Sequence, residues 1–262
     1  MHKFNNDWLF YREKIDAISR NEKIIKKINK YFKDHKILSI ADLGCGTGSN
    51  YRYMYPKIKV KQKWDMIDIS FESIKEFKKI TANTNKIINI NYKKFDLIKD
   101  IKKFKFENYD LITGSAYLDI MPKKWFHEFK KQNLNTKVIY FSIKYDGYFK
   151  FYPKHKDDEY VLQLFNKDQE SDKGIGKKAV GKNCSQIINK VFTKTHKTFV
   201  LNSNWNVSKN KMFQDMFINF CENVIKKNKI SLEPWIKFRR ENIRLNKSKL
   251  LLRNKDFLAL KL

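Results

Sequence analysis

The chain has 262 residues, 42% of them hydrophobic and 15% aromatic, with a formal net charge of +28. That length suits one α/β domain with a modest cap, and the apolar content excludes global disorder. No apolar run reaches the roughly 18 residues that cross a bilayer, and the scattered cysteines Cys45, Cys184 and Cys221 fit reduced thiols better than a disulfide frame or a metal site.

In chain order, residues 7–34 carry apolar positions at helical spacing, with a break near Ser19–Asn21. Residues 37–43 read as a buried strand. A glycine loop at 44–48 opens a helix over 50–55, which Pro56 ends. Residues 62–69 read as a second strand, and Ser70 caps a helix over 71–80. Strands over 87–92, 109–113 and 137–143 follow, with a helix over 124–132 before the last of these. Residues 146–182 are polar, glycine-bearing and without regular period, which reads as an insertion after the fifth strand. Beyond it come helices over 185–193, 212–227 and 232–244 and a strand over 197–201. Leu250–Leu252 and Phe257–Leu260 flank a turn-like Arg253-Asn254-Lys255-Asp256, predicting a terminal strand or hairpin.

Alternating strands and helices predict a doubly wound, mostly parallel seven-stranded sheet with helices on both faces. It divides into a helical N-terminal lid (1–35), a ligand-binding core (36–145), a cap (146–182) and the remaining half of the sheet (183–262). In such sheets ligands sit at the carboxyl ends of the strands, where the glycine loop lies.

Only seven of the 56 basic residues are arginine. Phosphate-reading surfaces favour arginine's bidentate fork, and the lysines are spread along the chain. With abundant Asn, Ile and Phe, that pattern fits AT-rich codon usage and solvated lysine faces; a polyanion partner is the alternative. Nothing in residues 1–7 has the apolar core of a signal peptide, so a cytoplasmic chain is expected.

The run Asp42-Leu43-Gly44-Cys45-Gly46-Thr47-Gly48 brings backbone N–H groups close to a ligand, because glycine has no Cβ in the way. Asp68 ends the second strand about 20 residues on, where a nucleotide-binding domain places a carboxylate for ribose hydroxyls; a helix cap is the other reading. A dinucleotide fold prefers Gly-x-Gly-x-x-Gly with a pyrophosphate at the helix start. Here the glycines alternate, and Asp42 would repel a pyrophosphate while tolerating a cationic donor. The loop resembles motif I of the class I S-adenosylmethionine (SAM) methyltransferases, and the likeness extends in order and spacing over about residues 37–143.

The resemblance implies SAM as cofactor, with Asp42, Gly44, Cys45, Gly46 and Gly48 around it. Asp68 and Ile69 would take the ribose, Asp96 the adenine amino group and Leu97 the ring face. The segment Asp110–Asp119, with Ser115, would lie beside the sulfonium. Asp96 also reads as an ordinary loop aspartate.

Arg12, Asp16 and Arg20 share one helix face. They form either an ion-pair ladder or a lid whose Arg20 pairs the methionine carboxylate. Tyr117, Asp119 and Asp146 are candidates to assist a hydroxyl nucleophile. His127 and His155 are weaker candidates for a base. Tyr145, Asn166, Gln169 and Lys173, from the polar insertion, are candidate substrate contacts. The adenine-methylating Asn/Asp-Pro-Pro-aromatic run is replaced by Gly114-Ser115-Ala116-Tyr117, and no cysteine follows a proline, which lowers the nucleic-acid reading. The expected activity is methyl transfer to an O or N atom of a small molecule. An RNA methyltransferase and a non-catalytic nucleotide-binding or interaction domain are the alternatives.

Overall fold

The computed structural model of the chain describes residues 6–81, 90–174 and 176–262. Two N-terminal helices, α1 (Asn6–Ser19) and α2 (Glu22–Tyr31), are separated at the predicted break. The core runs β1 (Ile37–Leu43), α3 (Ser49–Met54), β2 (Lys61–Asp68), α4 (Phe71–Thr81), β3 (Ile90–Lys94), β4 (Leu111–Ser115), α5 (Lys123–Gln132) and β5 (Val138–Tyr152). Then come α6 (Asp158–Gln169), α7 (Cys184–Phe192), β6 (His196–Asn202), β7 (Trp205–Val207), α8 (Lys211–Lys227), α9 (Glu233–Arg244) and β8 (Lys249–Lys261). Residues 87–89 of the predicted third strand, and Ile175 of the polar insertion, lie outside the described residues.

All the strands join one sheet in the order β3-β2-β1-β4-β5-β8-β6, with β7 paired to β8. The pairings from β3 through β5 are parallel, and β8 runs antiparallel to its three neighbours. The fold is therefore the expected doubly wound one, with one short strand, β7, that the sequence pattern left out.

Side-chain alternation divides the core between the two faces of the sheet. On β5, Ile139 and Phe141 pack in a cluster with Phe126 and Phe129 of α5 and Ile188 and Phe192 of α7. Val138 and Tyr140 join the opposite cluster, with Ile24 and Ile28 of α2, Tyr51 of α3 and Phe77 of α4.

Two sequence expectations are refined. The strand read as 137–143 continues to Tyr152. Its register shifts twice against β8, between Phe141 and Lys144 and between Tyr145 and Phe149, and Ile143 takes a positive φ of 53°. These irregularities break the period-2 pattern that marks a strand. The terminal segment, expected as a strand or a hairpin, is the strand: the turn-like 253–256 is the middle of one continuous strand, β8. Its polar residues are there for internal hydrogen bonds: Asp256 accepts from the backbone N–H of Ile143 at 2.9 Å and of Asn21 at 3.0 Å. The β5–β8 ribbon carries a third cluster, in which Phe149 and Phe151 pack with Phe165 of α6, Phe217 of α8 and Trp235 of α9. Part of the segment read as irregular is thus a helix, α6.

Candidate functional site

The carboxyl ends of β1, β2 and β4, and the turn after β3, surround a cavity of about 820 Å³, within the range of small-molecule sites. Gly44–Thr47, Asp68–Ser70, Asp96–Ile98 and Ser115–Tyr117 form its wall, and Leu9, Arg12 and Asp16 of α1 close it from the side.

The glycine loop turns through positive φ at Gly44, Gly46 and Gly48. Gly48, at φ 85°, has Phe77 so close that a Cβ would fall 2.1 Å from the ring. Gly46, at φ 52°, has nothing within 4 Å of the place its Cβ would take. One glycine is thus fixed by packing, whereas the other keeps an open approach on the cavity wall.

Asp68 reaches back from the end of β2 to this loop. Its Oδ2 accepts from the Gly46 N–H and its Oδ1 from the Ser70 N–H, both at 2.8 Å. The helix cap expected as the alternative is real, and the loop is held by the same carboxylate. Each oxygen retains a second lone pair. Burial pushes the Asp68 carboxyl above its ordinary value, with the backbone N–H groups of Ser70, Gly46 and Ile69 opposing. Asp96 likewise turns its loop, its Oδ1 accepting from the Ile98 and Lys99 N–H groups at 3.0 Å. Trp125 Nε1 donates to the Leu97 carbonyl at 2.9 Å and fixes that backbone against the cavity.

Tyr117 packs its ring against Gly44, 2.6 Å from an added Cβ. Its hydroxyl is enclosed and has no hydrogen-bond partner among the described residues. Burial, with the charges of Asp68 and Asp96, pushes its ionisation up. Cys45 is buried, and desolvation raises its thiol well above the ordinary value, so it stays protonated.

Asp42, Gly48 and Arg20 are not on the cavity wall. Asp42 is fully buried beneath the loop, its Oδ1 accepting from Asn50 Nδ2 at 2.7 Å and its Oδ2 unpartnered among the described residues. Burial pushes its pKa up to about 7, with the Asn50 hydrogen bond and Arg20 opposing. Asn50 Nδ2 also donates to Thr113 Oγ1 at 3.1 Å. Arg20 donates to Asn50 Oδ1 at 2.6 Å and to Ser115 Oγ at 3.0 Å. The network ties β1, α3, β4 and the N-terminal lid into one buried polar unit.

Sequence reading missed a second tie. Arg52 of α3 donates to both carboxylate oxygens of Glu13, at 2.7 and 2.6 Å, and to the Thr47 carbonyl at 2.6 Å. Arg52 follows Gly48 by one helical turn; this spacing was the available signal. Arg12 and Asp16 form the expected ion pair at 2.8 Å, and both also face the cavity. Trp205 Nε1 donates to Asp16 Oδ1 at 2.9 Å.

Of the proposed catalytic residues, only Tyr117 is on the wall. Asp119 lies beside it in sequence, with Oδ1 enclosed and unpartnered among the described residues and its carboxyl raised by burial. Asp146 pairs with Arg253 at 3.3 Å and Lys255 at 3.6 Å, away from the cavity. His127 and His155 do not line it either. The insertion residues are bonded among themselves: Tyr145 to Asn166 at 2.9 Å, Asn166 to the Gly147 carbonyl at 3.0 Å and Lys173 to Asp168 at 2.8 Å. Neither these three nor Gln169 reaches the cavity wall.

Six lysines, Lys26, Lys30, Lys33, Lys36, Lys59 and Lys61, line a separate open groove. It lies at the amino ends of β1 and β2, the end of the sheet opposite the glycine loop. No group of three or more potential metal ligands occurs among the described residues, and no helix among them is long and apolar enough to cross a membrane.

Residues 40–132 match the family model of a methyltransferase domain. A cyclopropane-fatty-acyl-phospholipid synthase-like protein of Lactobacillus casei superposes with a TM-score of 0.56 at 10% identity, over 95% of this chain and 92% of that one. The YcgJ protein of Bacillus subtilis gives 0.52 at 11% identity, over 92% and 100%. A protein from Galdieria sulphuraria, proposed to be a sarcosine dimethylglycine methyltransferase, gives 0.51 at 13%, over 91% and 84%. No curated protein matches the sequence significantly. Sheet order and these superpositions give the chain the α/β fold of class I methyltransferases, and residues 40–132 match a methyltransferase domain.

Proposed function

We propose that the protein transfers a methyl group from SAM to an O or N atom of a small-molecule acceptor inside the 820 Å³ cavity. One observation carries this reading: the open Gly46 edge, Asp68 and Asp96, from three separate strand ends, meet on the wall of a single cavity. The residues fit the donor. Asp68 has lone-pair capacity left for ribose hydroxyls, and Asp96 and Leu97 line the same cavity, where an adenine would lie beside them.

When bound, SAM supplies a methyl group on a cationic sulfur, which an acceptor lone pair displaces to leave a neutral thioether. The chain's own contribution is alignment and exclusion of water. The Glu13–Arg52–Thr47 tie fixes α1 against the glycine loop, so the cavity is walled on the side opposite the strands. The Asp68 carboxylate, joined by buried Asp42 once pH passes about 7, places negative charge near the site, which favours a cation over a pyrophosphate. Ser115, on the cavity wall and held by Arg20, would face the donor's reactive end.

The RNA alternative would use the lysine groove, yet that groove opens at the far end of the sheet from the donor cavity. Labelled SAM should pass its methyl group to the low-mass fraction of a cell extract; transfer into the RNA fraction instead would reverse the choice of acceptor.

A further inference from the structure

The α1 wall of the cavity carries a cation, Arg12. The Arg12 guanidinium lies over the rings of Trp205 and Trp8, 5.4 and 6.0 Å from their centroids. Its Nε donates to Asp16 Oδ2 at 2.8 Å, and Asp16 is held in turn by Trp205 Nε1 at 2.9 Å. The side chain is 14% accessible, so this is a pinned, largely enclosed arginine on a cavity wall rather than a solvated one.

Its two terminal amino groups have no hydrogen-bond acceptor among the described residues, since the only bond it makes there is through Nε. The two amino groups of the fork face the cavity and are free to donate to a ligand there. That fork matches the two oxygens of a carboxylate. Arg12 precedes Arg20 by eight residues, about 12 Å along a helix, and Arg20 is bonded to Asn50 and Ser115 beside the glycine loop. The two arginines therefore serve different parts of the site. Asp16 pairs with Arg12 and Asp119 lies within its field, so a phosphate dianion would be repelled more strongly there than a monoanion.

We propose that Arg12 binds the acceptor, and that the acceptor is a small molecule whose carboxylate sits in the Arg12 fork at the α1 wall. The proposal rests on the SAM reading above. The same chemistry could come from the α-carboxylate of SAM itself, and the test separates the two sources.

Calorimetry first compares S-adenosylhomocysteine, which carries that carboxylate, with 5′-methylthioadenosine, which lacks it, on wild type, Arg12→Gln and Arg12→Lys. Binding of neither compound by wild type defeats the SAM reading and not this one. Under the proposal, the variants bind both compounds as wild type does. A tenfold loss confined to S-adenosylhomocysteine would assign Arg12 to the donor and overturn the proposal.

Thermal shifts of the S-adenosylhomocysteine-saturated protein are then read with acetate, glycine, succinate and benzoate, each against its amide. The expected result is a wild-type preference for at least one carboxylate, lost in Arg12→Gln and weakened about tenfold in Arg12→Lys. No preference in wild type, or one that survives Arg12→Gln, overturns it. The lysine variant preserves the charge beside Asp16 and covers the case in which the glutamine variant does not fold.

Discussion

Glu13 and Arg52 are joined by two hydrogen bonds, of 2.7 and 2.6 Å, and Arg52 also holds the Thr47 carbonyl of the glycine loop. The helix that walls the cavity is thus attached directly to the loop expected to carry the donor. Both side chains are about a quarter accessible, so the pair contributes about 1 kcal/mol or less to stability. Glu13→Gln should therefore barely move the thermal midpoint yet weaken S-adenosylhomocysteine binding several-fold by calorimetry. A variant that binds as wild type does would separate α1 from donor binding.

The glycines separate packing from access. Gly48→Ala drives a Cβ into the buried Phe77 ring at 2.1 Å in a left-handed conformation, and should cost about 2–4 kcal/mol in urea denaturation. Gly46→Ala meets nothing within 4 Å and should cost only about 1 kcal/mol. It should nevertheless lose donor binding, because the methyl group enters the open approach.

Tyr117→Phe removes a hydroxyl that is enclosed and unpartnered among the described residues. Stability should stay within about 1 kcal/mol of wild type or rise slightly. If the hydroxyl meets the adenosine half of the donor, affinity for 5′-methylthioadenosine should fall several-fold. Unchanged affinity would return Tyr117 to a packing role against Gly44.

Asp42 links stability to pH. Its pKa is raised from 3.8 to about 7 by burial, so the native state keeps a proton that the unfolded chain releases near pH 4. Native stability from this group is therefore lost progressively as pH rises from about 4 to about 7 and stays low above that. Asp42→Asn should flatten that part of the profile and be the more stable protein at pH 8. Wild-type affinity for cationic SAM should rise with pH through about 7, a trend the variant should lack.

Much of the proposed donor site is legible in the sequence because it is local. The glycine loop, Asp68 and Asp96 each sit at a strand end, where short spacing fixes position. The proposed acceptor side is not local. Arg12, Asp16 and Trp205 meet only because β7, a three-residue strand, brings Trp205 against α1. The polar cluster around Asn166 and Lys173 has the composition of a pocket, yet its hydrogen bonds close on themselves. Lys144 resembles every other lysine in the sequence, but the twist at Ile143 buries it completely, where it donates to the carbonyls of Phe141 and Lys255.

The central claim is that Asp68 and the glycine loop form a SAM site. Calorimetry with SAM and S-adenosylhomocysteine on wild type and Asp68→Ala, with folding of both checked by circular dichroism, tests it most directly. The account predicts that wild type binds both ligands and that the folded variant binds each at least about tenfold more weakly. Failure of the wild-type protein to bind either ligand, or equal binding by the variant, would contradict it.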